Sequence, residues 1–170
     1  VKRKFFGTLY NTYSFFTLYA NLDQFKYIET DIPNEVRPEI DRWILSELHT
    51  LIQKVDAFYS DYEPTKAARA ISEFTQDYLS NWFVRLSRRR FWKGNYETDK
   101  ISAYQTLYTC LESLALLISP IAPFFGEKLF VTNRPLFTVS LPGFRVDEDQ
   151  VNIRRNIKLP GAQLAHSQYN

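Results

Sequence analysis

From Lys2 to Phe130 apolar side chains recur at three- and four-residue steps, the spacing that lines one face of a helix. Phe5, Leu9, Thr12, Phe16, Tyr19 and Leu22 share one side of a first predicted helix, which runs from about Lys2 to Phe25. Lys26–Pro38 then breaks the rhythm with the loop formers Asp31, Pro33, Asn34 and Pro38. A second helix, Glu39–Ser60, carries Ile40, Trp43, Ile44, Leu48, Leu51, Val55 and Phe58 on one side. Pro64 suits the first turn of a third helix, which extends to Trp92 and stops at Gly94-Asn95. Thr98 or Asp99 caps a fourth helix, followed by Ile101, Tyr104, Leu107, Tyr108, Leu111, Leu114 and Ile118. Ser119-Pro120 and Ala122-Pro123 interrupt it, and a short helix covers Phe124–Phe130. The predicted fold is all-α: an antiparallel bundle of four to five helices across residues 1–131. Residues 132–170 read as an irregular C-terminal extension, in which Leu136–Leu141 alternates as a short strand does and Asp147–Gln150 and Leu159–Gly161 read as turns.

Composition removes most small-molecule chemistry. The chain has 170 residues, a formal charge of +2 and 45% apolar residues, enough for a sizeable core. No run of 18 apolar residues occurs, so neither a transmembrane helix nor membrane partnership is expected. Cys110, the one cysteine, excludes an internal disulfide, fits a reducing cytosolic setting and sits at core spacing as an inert thiol. The chain begins at Val1 with no signal-peptide pattern and reads as a piece of a larger protein. Its five glycines form neither a dinucleotide turn nor a phosphate loop. Two histidines, His49 and His166, do not make a zinc site, and His49 reads as a surface or boundary residue. Asp41, Glu47, Glu73 and Asp77 show no pairing that acid–base work demands. No catalytic residue and no metal-ligand set is expected.

Charge is segregated. Asn34–Glu63 holds seven acids against three bases, whereas Thr65–Lys93 holds seven bases against two acids, and no acid lies between Trp82 and Lys93. At about 100° per residue, with Trp82 at zero, Arg89 falls near 340°, Arg85 near 300°, Trp92 near 280° and Arg88 near 240°. Leu79, Leu86 and Phe83 fall roughly opposite, and Arg90 points toward the apolar side, where it would pair within the protein. Forked guanidinium groups suit phosphates and exposed rings suit unstacked bases, a combination that fits a single-stranded RNA loop. Two blander readings compete. Arginines near a helix C-terminus also favour its dipole and solvate its surface. Taken singly, Trp43, Trp82 and Trp92 each read as packing residues.

A series of motifs then shifts the balance. Asn11-Thr-Tyr-Ser-Phe-Phe16, Tyr19-Ala-Asn21, Asp41-Arg-Trp-Ile-Leu-Ser-Glu-Leu48, Ser80-Asn-Trp-Phe-Val-Arg85 with Ser87-Arg-Arg-Arg-Phe-Trp92, and Ser119-Pro-Ile-Ala-Pro-Phe124 follow in order. Together they resemble the anticodon-binding domain of the isoleucyl-tRNA synthetases, over about Lys2 to Phe130. The Asp-Arg-Trp-Ile-Leu-Ser and Ser-Pro-x-x-Pro-Phe stretches are similar to the valyl and leucyl relatives, while the Asn-Trp and Arg-rich stretch is closer to the isoleucyl branch. The resemblance implies a helical domain that holds the anticodon stem-loop of tRNA(Ile), within a cytoplasmic ligase that attaches isoleucine using ATP and magnesium. The catalytic and editing domains would lie elsewhere in the same protein, because the His-x-Gly-His and Lys-Met-Ser-Lys-Ser signatures are absent here. On that resemblance Arg85, Arg88, Arg89 and Lys93 are expected on phosphates, with Asn81, Trp82 and Trp92 near the anticodon bases. The alternatives are the equivalent valyl or leucyl domain, and a helical interaction module that does not bind RNA.

Overall fold

The computed structural model describes residues 4–25, 27, 31–92 and 97–133, the last four of these by backbone only. Helix α1 spans Phe5–Leu22, α2 Glu39–Ser60 and α3 Pro64–Glu73; a π-helical stretch, Phe74–Val84, continues directly into α4, Arg85–Trp92. Helix α5 spans Thr98–Ile118 and α6 Pro123–Asn133. Since α3, the π stretch and α4 form one unbroken rod, the described residues make five helices, as the pattern predicts. The expected short strand and turns beyond residue 132, the Gly94-Asn95 stop and Lys93 lie outside the described residues.

Helix α1 buries Phe5, Leu9, Thr12, Phe16 and Ala20. Leu22, expected on that face, is exposed. The reason is the way the helix ends. Gln24 adopts a positive φ of 52°, and the Phe25 N–H donates back to the Ala20 carbonyl at 2.8 Å. This closing motif returns Phe25 to the core in the place Leu22 would have filled. Helix α2 ends the same way, with Tyr62 at φ 57° and the Glu63 N–H donating to the Phe58 carbonyl. Helix α5 begins one residue earlier than a Thr98 cap would require: Glu97 is the capping residue and makes no side-chain capping bond.

Helix α5 is the axis of the bundle. It packs against α1, α2, α3, α4 and α6, so Ser102–Leu107 is buried at every position, not on one stripe. Around it the chain spends much of its aromatic content. Tyr104 stacks on Phe25 at 4.7 Å between ring centres and meets Phe91 edge-on at 5.0 Å, while Phe91 also meets Phe15 at 5.2 Å. At the far end Gly126 lets α6 fold back closely on α5. A Cβ there would lie 2.7 Å from Ser119 Oγ and 2.8 Å from the Ala115 carbonyl.

The segment before α2 is tied to α5 by Arg37. Its guanidinium donates to Thr106 Oγ1 at 2.7 Å and to the Ile32 carbonyl at 2.8 Å, and the Ile32 N–H donates to Gln105 Oε1 at 3.0 Å. These bonds satisfy buried polar groups that would otherwise lose water without replacement.

Candidate nucleic-acid interface

The basic stretch is presented by the second half of the long rod, and the π-helical stretch sets its rotation. Phe74, Thr75, Leu79, Phe83 and Val84 are buried, at four- and five-residue steps, as expected of i→i+5 bonding with a turn wider than an α-helix's. Beyond Val84 the α period resumes, and Phe83, Ser87 and Phe91 are buried at four-residue steps. Leu86, placed opposite the arginines by a uniform 3.6-residue period, is instead 58% exposed and sits beside them. The slower turning of the π stretch rotates the buried stripe, and Leu86 falls off its edge.

What faces outward is therefore a continuous strip. Asn81, Trp82, Arg85, Leu86, Arg88, Arg89 and Trp92 are all exposed, and no carboxylate interrupts them. Trp82 is 59% and Trp92 57% exposed, so neither is the core residue that each resembles when taken alone. Trp43 does pack, with its ring 6.0 Å from Tyr78. Among the described residues Arg85, Arg88 and Arg89 form no ion pair.

Arg90 behaves differently, as its angle predicts. It turns inward and donates two parallel hydrogen bonds to Asp41, at 2.6 and 2.9 Å. Its Nε donates to Asp99 Oδ2 at 3.0 Å and an Nη to the Asp99 carbonyl at 2.8 Å. Asp41, fully buried, also accepts from Ser102 Oγ at 2.6 Å. Burial alone would weaken the guanidinium's hold on its proton, but Asp41 and Asp99 reverse that and push the Arg90 pKa above its ordinary value. Asp41 showed no partner in the sequence; its position in the first turn of α2, on the same face as Ile44 and Leu48, was the one available signal.

Other reactive groups are quiet. Cys110 is fully buried, and desolvation pushes its thiol well above the ordinary range, so it is no nucleophile. His49 is exposed. Among the described residues no group of three His, Cys, Asp or Glu side chains could hold a metal ion, and no helix is long and apolar enough to cross a membrane.

The family described as the anticodon-binding domain of tRNA ligase matches residues 41–159. The chain belongs to that family. Over 130 residues, 76% of this chain, it is 65% identical to an isoleucine–tRNA ligase of Bacteroides fragilis and to another of Cytophaga hutchinsonii. An isoleucine–tRNA ligase of Thermus thermophilus is 46% identical over 128 residues, 75% of the chain. The chain spans only 11–12% of the length of these relatives. The outward strip of arginines and tryptophans is the feature of this domain whose chemistry suits an RNA loop. Its arginines can meet phosphates and its rings can meet unstacked bases.

Proposed function

We propose that this chain is the part of an isoleucine–tRNA ligase that binds the anticodon stem-loop of tRNA(Ile). The strip from Asn81 to Trp92 carries the reading: three exposed arginines without ion pairs, flanked by two exposed tryptophans, in a domain of this family. Arg85, Arg88 and Arg89 hold phosphates through forked hydrogen bonds, with Lys93 continuing the basic run. Asn81, Trp82 and Trp92 lie against the anticodon bases, the rings by stacking and the amide by hydrogen bonding. The whole ligase would act in the cytoplasm and join isoleucine to tRNA(Ile) at the expense of ATP. We assign ATP and magnesium to the catalytic portion outside this chain, because no ATP signature and no glycine-rich phosphate loop occurs within it. This domain would orient the tRNA and perform no chemistry.

Neutralising phosphates releases counterions, so binding to tRNA should weaken steeply with salt. Arg88→Ala and Arg89→Ala should each lower the slope of log affinity against log salt by about one. Competition by purified tRNA(Ile), tRNA(Val) and tRNA(Leu) assigns the branch. Unchanged slopes and affinities for both variants would reduce the arginines to surface solvation and refute the proposal.

A further inference from the structure

One arginine of the basic run does not face solvent, and its partners join three helices. Through Arg90 the last turn of α4 is bonded to Asp41 in the first turn of α2 and to Asp99 in the first turn of α5. Both carboxylates sit at helix N-termini, where the backbone dipole favours negative charge, and Arg90 sits at a C-terminus, where it favours positive charge. The paired hydrogen bonds to Asp41 are a fork-on-carboxylate contact, which fixes orientation as well as distance. Helix α4 has eight residues and continues the π stretch, which sets its rotation at Arg85. Toward Trp92 that rotation is also held from outside the rod. The buried Phe91 and Ser87 hold it there, and so does the Arg90 clamp. One residue's rotation, about 100°, would turn Trp92 or Arg88 out of the strip.

We infer that Arg90, held by Asp41 and Asp99, is a positioning residue for RNA binding: it holds the last turn of α4 at the rotation that presents Arg85, Arg89 and Trp92 outward together. The inference rests on the RNA-binding role proposed above. Arg90 itself contacts no RNA, because its donors are committed to the two aspartates and its side chain is 15% exposed.

The test is Arg90→Lys in the 170-residue chain, which keeps the charge and removes the fork. The probe is a synthetic anticodon stem-loop RNA of tRNA(Ile), titrated at several salt concentrations, with circular dichroism to verify folding. Affinity should fall about tenfold, the scale of one charge-assisted bidentate contact, with the salt slope unchanged because no phosphate contact is lost. Independently of RNA, iodide quenching of Trp92 in a background carrying Trp43→Phe and Trp82→Phe should change on adding Arg90→Lys. Asp99→Asn, which leaves the buried Asp41 pair intact, should move both readouts in the same direction by less, about threefold in affinity, and decides the matter if Arg90→Lys does not fold. A folded Arg90→Lys with normal affinity and normal quenching overturns the inference. So does a slope reduced by one, which would make Arg90 a phosphate contact. Arg89→Ala separates the two levels: if it weakens RNA binding and Arg90→Lys does not, only the positioning role fails, whereas if neither weakens binding the RNA role fails and the inference with it.

Discussion

Trp92→Ala distinguishes a ring that stacks on RNA from a ring that packs in the bundle. Trp92 is 57% exposed, so a little under half of its surface is buried. Truncating a fully buried tryptophan costs about 3–5 kcal/mol. Scaled to the part that is buried, Trp92→Ala should cost about 1.5–2 kcal/mol of folding stability. Stacking one base on an aromatic ring is worth about 1–3 kcal/mol, so RNA affinity per folded molecule should fall roughly 5- to 150-fold. The neighbouring residue is the control: Phe91 is 1% exposed and wedged between Phe15 and Tyr104. Phe91→Ala should cost about 3–5 kcal/mol of stability. The assays are denaturant unfolding of both variants and titration with the anticodon stem-loop, corrected for the fraction folded. If Trp92→Ala costs as much stability as Phe91→Ala and leaves corrected affinity intact, the ring is a packing residue and its assignment to the bases is wrong.

Two further changes probe the scaffold. Ser87 is buried with its Oγ lacking a hydrogen-bond partner among the described residues, so Ser87→Ala should be neutral or stabilising by about 1 kcal/mol in denaturant unfolding; a clear destabilisation would show that the hydroxyl is satisfied. Tyr59 is partly buried and donates to the Leu117 carbonyl at 2.8 Å, and desolvation pushes its hydroxyl pKa up to about 12 from an ordinary 10. The folded state then holds this proton more tightly than the unfolded chain, so the contribution is complete below pH 10 and disappears as pH rises through about 12. After allowance for solvent screening the loss should be about 1 kcal/mol, and the stability gap between the wild-type chain and Tyr59→Phe should close over that window; a gap that stays constant would refute the assignment.

The helix pattern was readable because most of these helices bury a stripe. Helix α2 runs from Glu39 to Ser60, and the long rod from Pro64 to Trp92, as the spacing of apolar residues and Pro64 indicate. The departures have local causes. Leu22 lost its place to Phe25 through a left-handed turn at Gln24, a residue that gives no warning of a positive φ. Leu86 was misplaced because a 3.6-residue period was carried through a stretch that turns more slowly, and the residues of a π stretch do not announce it. Helix α5 is buried at so many positions that periodicity understates it; polar residues such as Gln105 and Thr106 are enclosed because Arg37 and Ile32 bond to them. Of the strip itself, the shared face of Arg85, Arg88, Arg89 and Trp92 was legible from angles, whereas Trp82, taken singly, read as a packing residue and is exposed. Asp41 was not legible, since its partner lies 49 residues away.

The split within the Arg88–Arg90 run shows how a chain with a net charge of only +2 can present a basic surface. Rotation by one residue takes Arg90 to the two aspartates at the starts of α2 and α5, and the buried one, Asp41, is engaged internally and not on the strip. Arg85, Arg88 and Arg89 fall within about one turn of one another, a rise of about 6 Å, shorter than the Debye length of about 8 Å at physiological salt. Their fields therefore add over the strip. The exposed acids Glu39 and Asp56 belong to a different helix, α2, and are screened from the strip when they lie more than that length away. The local field, and not the total charge, is what an approaching phosphate meets, and pairing Arg90 with the buried Asp41 confines that acid's charge to an internal contact.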